Sequence, residues 1–511
     1  MLTLLLACSG PGGNGDNMVS PTDNAVDAAL SIPPGDARLV RWLTVTADAP
    51  AVLSLLLEGG AGARRITFPD AAAEHAVPIL GLRPSTTYDL TVELDGVAVE
   101  ELSLTTEALD IEVPIIEVLV NDGPQQGLTL VSFESPGETQ PALNRAAAID
   151  SEGQVVWLLP ASRKVRSLQL SDAGQVWYLE FGEVHVFEPT GEETASYSPK
   201  TAGFKGAYHH DLQLRPDGTF YTLSEHFPQV QNYPIDDSDL SITDNVVIEA
   251  DVAAHIGTDG QVISSWSLVD VLDPTRIGYG STIQHNGRFD WSHANALQAF
   301  PDEGLVLVGS RHQDAVVLFG DEDLEPIWIL ANHDGWSDDL RPYLLTPVGE
   351  PFGWPYHQHG ARRAGNRVRM FDNGNHNRTT PYSQDPEVGR YSRVVEYEVD
   401  PVAMTVRQVW EATLGDPALF SSALGDADLL APSGHVLSVF GFLEAEGGVQ
   451  NSDLGFGVRS IRLAEFDPAT DRVVWDVRMY DTAEDNNSGW QADAAQRVDH
   501  LYGDRATVIW L

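Results

Sequence analysis

A two-part motif recurs along residues 109–511 and leaves few architectures open. One part is a strand, a turn and a second strand closing on an aromatic residue. It occurs as Ile149-Asp150…Gly153…Val156-Trp157, Val186-Phe187…Gly191…Tyr197 and Ile256…Gly260…Trp266. It returns as Leu318…Trp328, Val395-Glu396-Tyr397…Trp410 and Phe466-Asp467…Val474-Trp475. The other part is a hairpin around a Gly turn, at residues 168–177, 212–218, 297–304, 361–365 and 429–434. Each hairpin precedes the aromatic half of its own unit. Five hairpins with their outer halves make five four-stranded sheets, and the aromatic half near Trp157 lacks a hairpin. The alternating stretch 495–502 is strand-like and supplies the missing closure. Such units predict an all-β chain and a six-bladed β-propeller sealed by the C-terminus, because a ring leaves no long open sheet edge. A solenoid would use a shorter unit and would need capped ends.

The segment ahead of the repeat alternates apolar and polar residues in short runs, beginning at Trp42-Leu43-Thr44-Val45-Thr46. Its stretch Leu82-Arg83-Pro84-Ser85-Thr86-Thr87-Tyr88 resembles the Leu-x-Pro-x-Thr-x-Tyr pattern of fibronectin type III-like sandwiches, whose Tyr hydroxyl ties a corner to the backbone. A small immunoglobulin/fibronectin III-like β-sandwich is therefore expected over 37–108, ahead of a propeller over 109–511. Cys8 is the sole cysteine, which excludes an internal disulfide and a Cys-based metal site. The run Leu4-Leu5-Leu6-Ala7-Cys8 and the Gly-rich residues behind it resemble a bacterial lipobox. That likeness implies a signal remnant over 1–8 lipidated at Cys8, a flexible tether over 9–36, and export to the periplasm or cell surface. A lipid anchor would be the only membrane attachment, since no run approaches the roughly 18 apolar residues of a spanning helix.

Charge narrows the partners. Lys and Arg total 30 against 75 Asp and Glu, a formal net charge of −45. Nucleic-acid binding is excluded on that balance, because phosphates are held by clustered cations.

Aligning the hairpins on their turns places His210, Asn295 and His359 in one slot of successive units. In a propeller that slot lines the central channel. His293 lies two residues before Asn295, on the same strand face. Seven residues after each turn Gly the second strands carry Glu225, Arg311 and Asp372. Histidines, an Asn and an Arg aimed at one point suit a tetrahedral anion: Arg offers a fork of donors, Asn an amide donor, and His can donate, accept or attack. His209 is expected to face away from His210 by strand alternation. His312, His285 and His376 sit beside turns, and His357 shares a face with His359. A His-only metal site is the competing chemistry, which Arg311 disfavours; no metal is expected.

These residues resemble a known family. Asp290-Trp291-Ser292-His293-Ala294-Asn295 followed by Gly309-Ser310-Arg311-His312-Gln313 is similar to the signature of the bacterial arylsulfate sulfotransferases. Tyr208-His209-His210-Asp211 and Gln358-His359-Gly360…Phe371-Asp372-Asn373-Gly374 resemble two further motifs, in the same order. The resemblance implies a six-bladed propeller with a small N-terminal sandwich and no cofactor, metal or nucleotide donor. It implies ping-pong transfer of a sulfuryl group from a phenolic sulfate ester to a phenol through a sulfated histidine, His359. His210, His293, Asn295 and Arg311 would then hold the sulfate oxygens, with His210 or His293, His210 by preference, carrying the proton. Two other functions fit the same residues: a non-catalytic propeller lipoprotein that binds a ligand or partner, and an aryl sulfate hydrolase whose final acceptor is water.

Overall fold

The structure is a computed structural model describing all residues except 1–25, 61, 136–143, 181, 376–390, 417, 445–457 and 483–488. Cys8 and His376 lie outside the described residues. Strands whose residues are apolar at every position are buried on both faces. Leu305–Ser310 and Ala315–Gly320 carry runs of Leu, Val, Ala and Phe and are buried almost throughout, as a strand must be when sheets cover it on both sides. Outer strands such as Glu193–Tyr197 alternate and are half solvated.

Six sheets follow one another along residues 115–498. Their innermost strands are Val165–Leu170, Tyr208–Leu214, Ala294–Phe300, His359–Ala364, Asp426–Leu429 and Ala495–Val498. Each inner strand touches the next, the fifth sheet reaching Ala495–Val498 through Val436–Glu444. Ala495–Val498 in turn touches Val165–Leu170, so the sheets form a ring. The all-β class expected from the repeat is what the chain adopts. The last sheet joins both ends of the repeat region: Ala495–Val498 pairs with Leu128–Phe133, as the alternation in 495–502 predicts. Ile115–Asn121 adds a fifth, outer strand to the sheet of Arg472–Tyr480, which covers an edge that would otherwise be open.

The N-terminal unit differs from expectation in three ways. Its strands form one continuous hydrogen-bonded sheet rather than two separate ones, built on the long pair Arg41–Gly59 and Gly62–Ile79. Register shifts between Thr46 and Leu53 bend this pair. One half of the Arg41–Gly59 strand then pairs with Asp27–Ser31 and the other with Thr87–Leu94. The expected tether therefore ends earlier than residue 36, because Ala28 and Leu30 pack against the core. The C-terminal strand Thr507–Trp510 also joins this sheet, so its boundary does not fall cleanly at 108. The Tyr88 hydroxyl accepts from the Arg83 backbone N at 2.7 Å, the corner the Pro-x-Thr-x-Tyr pattern predicts. Arg83 reaches on to Asp150 (2.6 Å) and Glu152 (2.8 Å), and Leu80 N donates to the Tyr502 hydroxyl at 2.9 Å. The N-terminal sheet and the ring thus share one core. Among the described residues no helix is long and apolar enough to cross a membrane.

Candidate active site

The shared slot is a bulge repeated in three sheets. The pairing of the first two strands shifts between His209 and Leu212, between Ala294 and Ala296, and between His359 and Arg362. Left-handed backbone accompanies each shift, with φ of 56° at His210, 44° at His293, and 58° at both His357 and Gly360. For a non-Gly residue such a conformation costs on the order of 1 kcal/mol and persists only where the surroundings impose it. At position 360 only Gly fits, because a Cβ would lie 2.4 Å from the Asp426 carboxylate. The bulges turn His210, Asn295 and His359 into one cavity of about 260 Å³ at the axis of the ring.

His359 is buried, and its partners fix its tautomer. Nδ1 lies 2.7 Å from Asn373 Oδ1. Asn373 Nδ2 donates to the carbonyls of Ser421 (2.8 Å) and Leu424 (2.9 Å), so its Oδ1 is left as an acceptor. His359 Nδ1 therefore carries the hydrogen and Nε2 keeps its lone pair. Burial, with the Arg311 guanidinium adding to it, holds the imidazole well below its ordinary pKa. His359 is a neutral base with an open nitrogen.

Arg311 is positioned by the histidine beside it. His312 Nδ1 donates to the Asp290 carbonyl at 2.7 Å, which leaves Nε2 to accept from Arg311 Nη1 at 3.0 Å. Arg311 Nη2 reaches the Ser422 carbonyl at 3.4 Å. Burial keeps His312 far below the ordinary histidine range, as this acceptor role requires. Asp290 Oδ2 accepts from His293 Nδ1 at 2.6 Å. Burial alone would raise the Asp290 carboxyl, but its close pairing with His293 holds it well below the carboxylate range. The His293 ring lies 5.0 Å from that of His210 and 4.6 Å from that of His312. Asn295 donates to the Gln358 carbonyl at 2.8 Å, while its Oδ1 has no hydrogen-bond partner among the described residues.

One trio here has the residue types of a metal centre: ligand atoms of Asp290, His293 and His312 lie within 4.8 Å of one another. The fit is poor. Both histidines already spend Nδ1 on Asp290, and a guanidinium occupies Nε2 of His312. The donor set is that of a hydrogen-bonded network carrying a cation of its own.

Two sequence expectations change. His209 does not face away from His210: left-handed φ at 210 breaks the alternation, and the two Nδ1 atoms lie 2.9 Å apart. His357 does not share the channel face of His359. Its Nδ1 and backbone N both lie within reach of Asp314 Oδ1, at 2.8 and 2.7 Å, and its ring rests 4.8 Å from that of Tyr279. Of the aligned second-strand residues, Glu225 and Asp372 stay outside the site. Asp372 accepts from Arg393 and from the backbone N of Tyr356 and Gly374, a structural role. Glu225 lies opposite Asp251 behind His209. His285 stays largely exposed, 3.7 Å from Asp290. The sequence placed His312 only beside a turn and gave Asn373 and Asp290 no role beyond membership of a motif, and Ser422 went unmarked. The i,i+3 spacing of Asp290 and His293 was a usable signal; Ser422 carried none.

Burial pushes the Asp314 carboxyl up to about 7 from its ordinary 3.8. In the unfolded chain that group releases its proton above 3.8, whereas the folded protein retains it until about 7. Wild type therefore loses stability as pH rises across that window. Asp314→Asn, which tolerates the left-handed φ of 46° at this position, does not. Melting curves at pH 4.5 and 7.5 should show the variant gaining on wild type at the higher pH. An offset independent of pH would contradict this.

Comparison with known proteins adds a sequence match. The family model described as arylsulfotransferase (ASST) matches residues 118–491. The arylsulfate sulfotransferase AssT of Escherichia coli is 27% identical over 286 residues, covering 47% of this chain and 44% of that protein. The arylsulfate sulfotransferase AssT of Lelliottia amnigena is 26% identical over 208 residues, covering 32% and 34%. The aligned part of the chain thus spans less than half the length of these curated relatives. A solved structure of a protein of unknown function from Bacteroides caccae aligns with a TM-score of 0.40 at 12% identity, over 69% of this chain and 94% of that one.

Proposed function

The chain belongs to the arylsulfotransferase family, and from that premise we propose that it moves a sulfuryl group from a phenolic sulfate ester to a phenol through a sulfated His359. The observation that carries this reading is the neutral His359, its Nδ1–H held by Asn373 and its Nε2 lone pair left for attack. An imidazole in that state is a nucleophile at neutral pH.

In the first half-reaction Nε2 attacks sulfur, the N–S bond forms, and the S–O bond to the aryl group breaks. The electron pair leaves on the phenolate oxygen, which takes a proton from His293. The pairing of His293 with Asp290 at 2.6 Å favours it over His210 as the carrier, because the carboxylate stabilises the imidazolium. In the second half-reaction neutral His293 accepts the proton of the incoming phenol as its oxygen attacks sulfur and the N–S bond breaks. The transferred group spreads negative charge over three oxygens, and fixed donors lower the barrier by stabilising it. Arg311, Asn295 and His210 supply those donors.

Removing the tautomer lock weakens the nucleophile. Asn373→Ala should lower kcat about 10- to 100-fold, the usual scale for a residue that orients a reacting ligand, with a smaller change in KM. Unchanged kcat would show that His359 does not need the Asn373 bond.

The reading is tested by 4-nitrophenol release from 4-nitrophenyl sulfate with and without a second phenol. Sustained release that requires the phenol is expected. Release beyond one equivalent without it would assign a hydrolase, and none in either condition would favour a binding protein.

A further inference from the structure

The sulfuryl clamp requires His210 to donate, which it can do from Nε2 only if its Nδ1 is an acceptor. Its Nδ1 lies 2.9 Å from His209 Nδ1. Two imidazole nitrogens at that distance share one hydrogen, so one ring donates and the other accepts. His209 Nε2 lies 3.2 Å from Asp251 Oδ1, within ion-pair distance though without the alignment of a hydrogen bond. Asp251 is itself fixed, since its Oδ2 accepts from Ser292 Oγ at 2.6 Å and from Ala294 N at 2.5 Å.

We infer that Asp251 and His209 are positioning residues: with the Asp251 carboxylate at its Nε2, His209 gives its Nδ1–H to His210, and His210 then presents Nε2–H to the sulfuryl oxygens. This rests on the sulfuryl-transfer reading for its chemistry, though not for its geometry. The charges agree with it. Burial would lower His209, but its contact with Asp251 outweighs that and raises it. Burial, together with His293 and His209, keeps His210 neutral. When His209 loses a proton, the hydrogen of the pair moves to His210 Nδ1, Nε2 becomes a bare lone pair, and the clamp turns repulsive. The other groups that face this pair are Glu225 from the same sheet, with Glu249 beside it, Arg166 from the preceding one, and His293 and His359 across the channel.

The pair makes a definite pattern of variants. His209→Asn keeps a neutral amide donor near the Nδ1 position, whereas His209→Leu keeps volume and removes the donor. Measured on the whole protein with 4-nitrophenyl sulfate and phenol, His209→Leu should lose roughly 10-fold or more in kcat/KM, and His209→Asn should stay within about 3-fold of wild type. The alkaline decline due to His209 should be present in wild type and missing from His209→Asn. In parallel, ¹⁵N spectra of ring-labelled wild type should show His210 with hydrogen on Nε2 and a bare Nδ1. Leu and wild type with equal rates and superimposable pH profiles, or His210 with hydrogen on Nδ1, would overturn the inference. Should wild type turn over no aryl sulfate, the sulfotransferase reading fails, and the spectra still decide the tautomer.

Discussion

His359→Ala should stop aryl sulfate turnover, by roughly three orders of magnitude or more, while the protein folds as before. In the proposed mechanism His359 alone forms the bond to sulfur. His357, two residues away, is buried against Asp314 rather than aimed at the cavity, so it cannot take over. The fold should survive because His359 packs at the cavity wall and Asn373 keeps its bonds to Ser421 and Leu424. Circular dichroism and a melting curve check the fold, and nitrophenol release checks the activity. Retention of more than about one part in a hundred of wild-type rate would remove His359 as the nucleophile.

Arg311→Ala should lower kcat/KM by about two to three orders of magnitude, the scale at which a preorganised charge-stabilising donor acts in a closed site. Its guanidinium is held by His312 Nε2 and the Ser422 carbonyl and adds positive charge beside His359. Arg311→Lys should recover little, since an ammonium cannot reproduce the planar fork. The alanine variant should also melt earlier, because His312 Nε2 loses its donor in a buried site; the cost is about 1–3 kcal/mol. Rates and melting curves on both variants read the two effects separately. A lysine variant with wild-type activity would mean that bare charge suffices.

Much of this was legible in the sequence, and the failures share a cause. The repeat placed His210, Asn295 and His359 in one slot because the turn Gly of each hairpin fixes the count to the inner strand. The same repeat predicted a strand near the C-terminus, and Ala495–Val498 fills it. Side-chain direction was misread at His209 and His357, where the two-residue period of a strand was assumed to continue. A bulge or a left-handed residue breaks that period, and both occur at the channel ends of the inner strands. Asn373 and Ser422 were missed because they act from the loops behind the inner strands, where no period applies. The pairing of Thr507–Trp510 with Gly62–Ile79 links residues more than four hundred positions apart. Nothing local to either segment encodes it.

The most direct test of the proposed mechanism is the mass of the protein after exposure to 4-nitrophenyl sulfate without an acceptor phenol, followed by peptide mapping. One added sulfuryl group is expected, carried by the peptide that contains His359 and lost when phenol is supplied. Turnover with no added group, or the group on a peptide lacking His359, would contradict it.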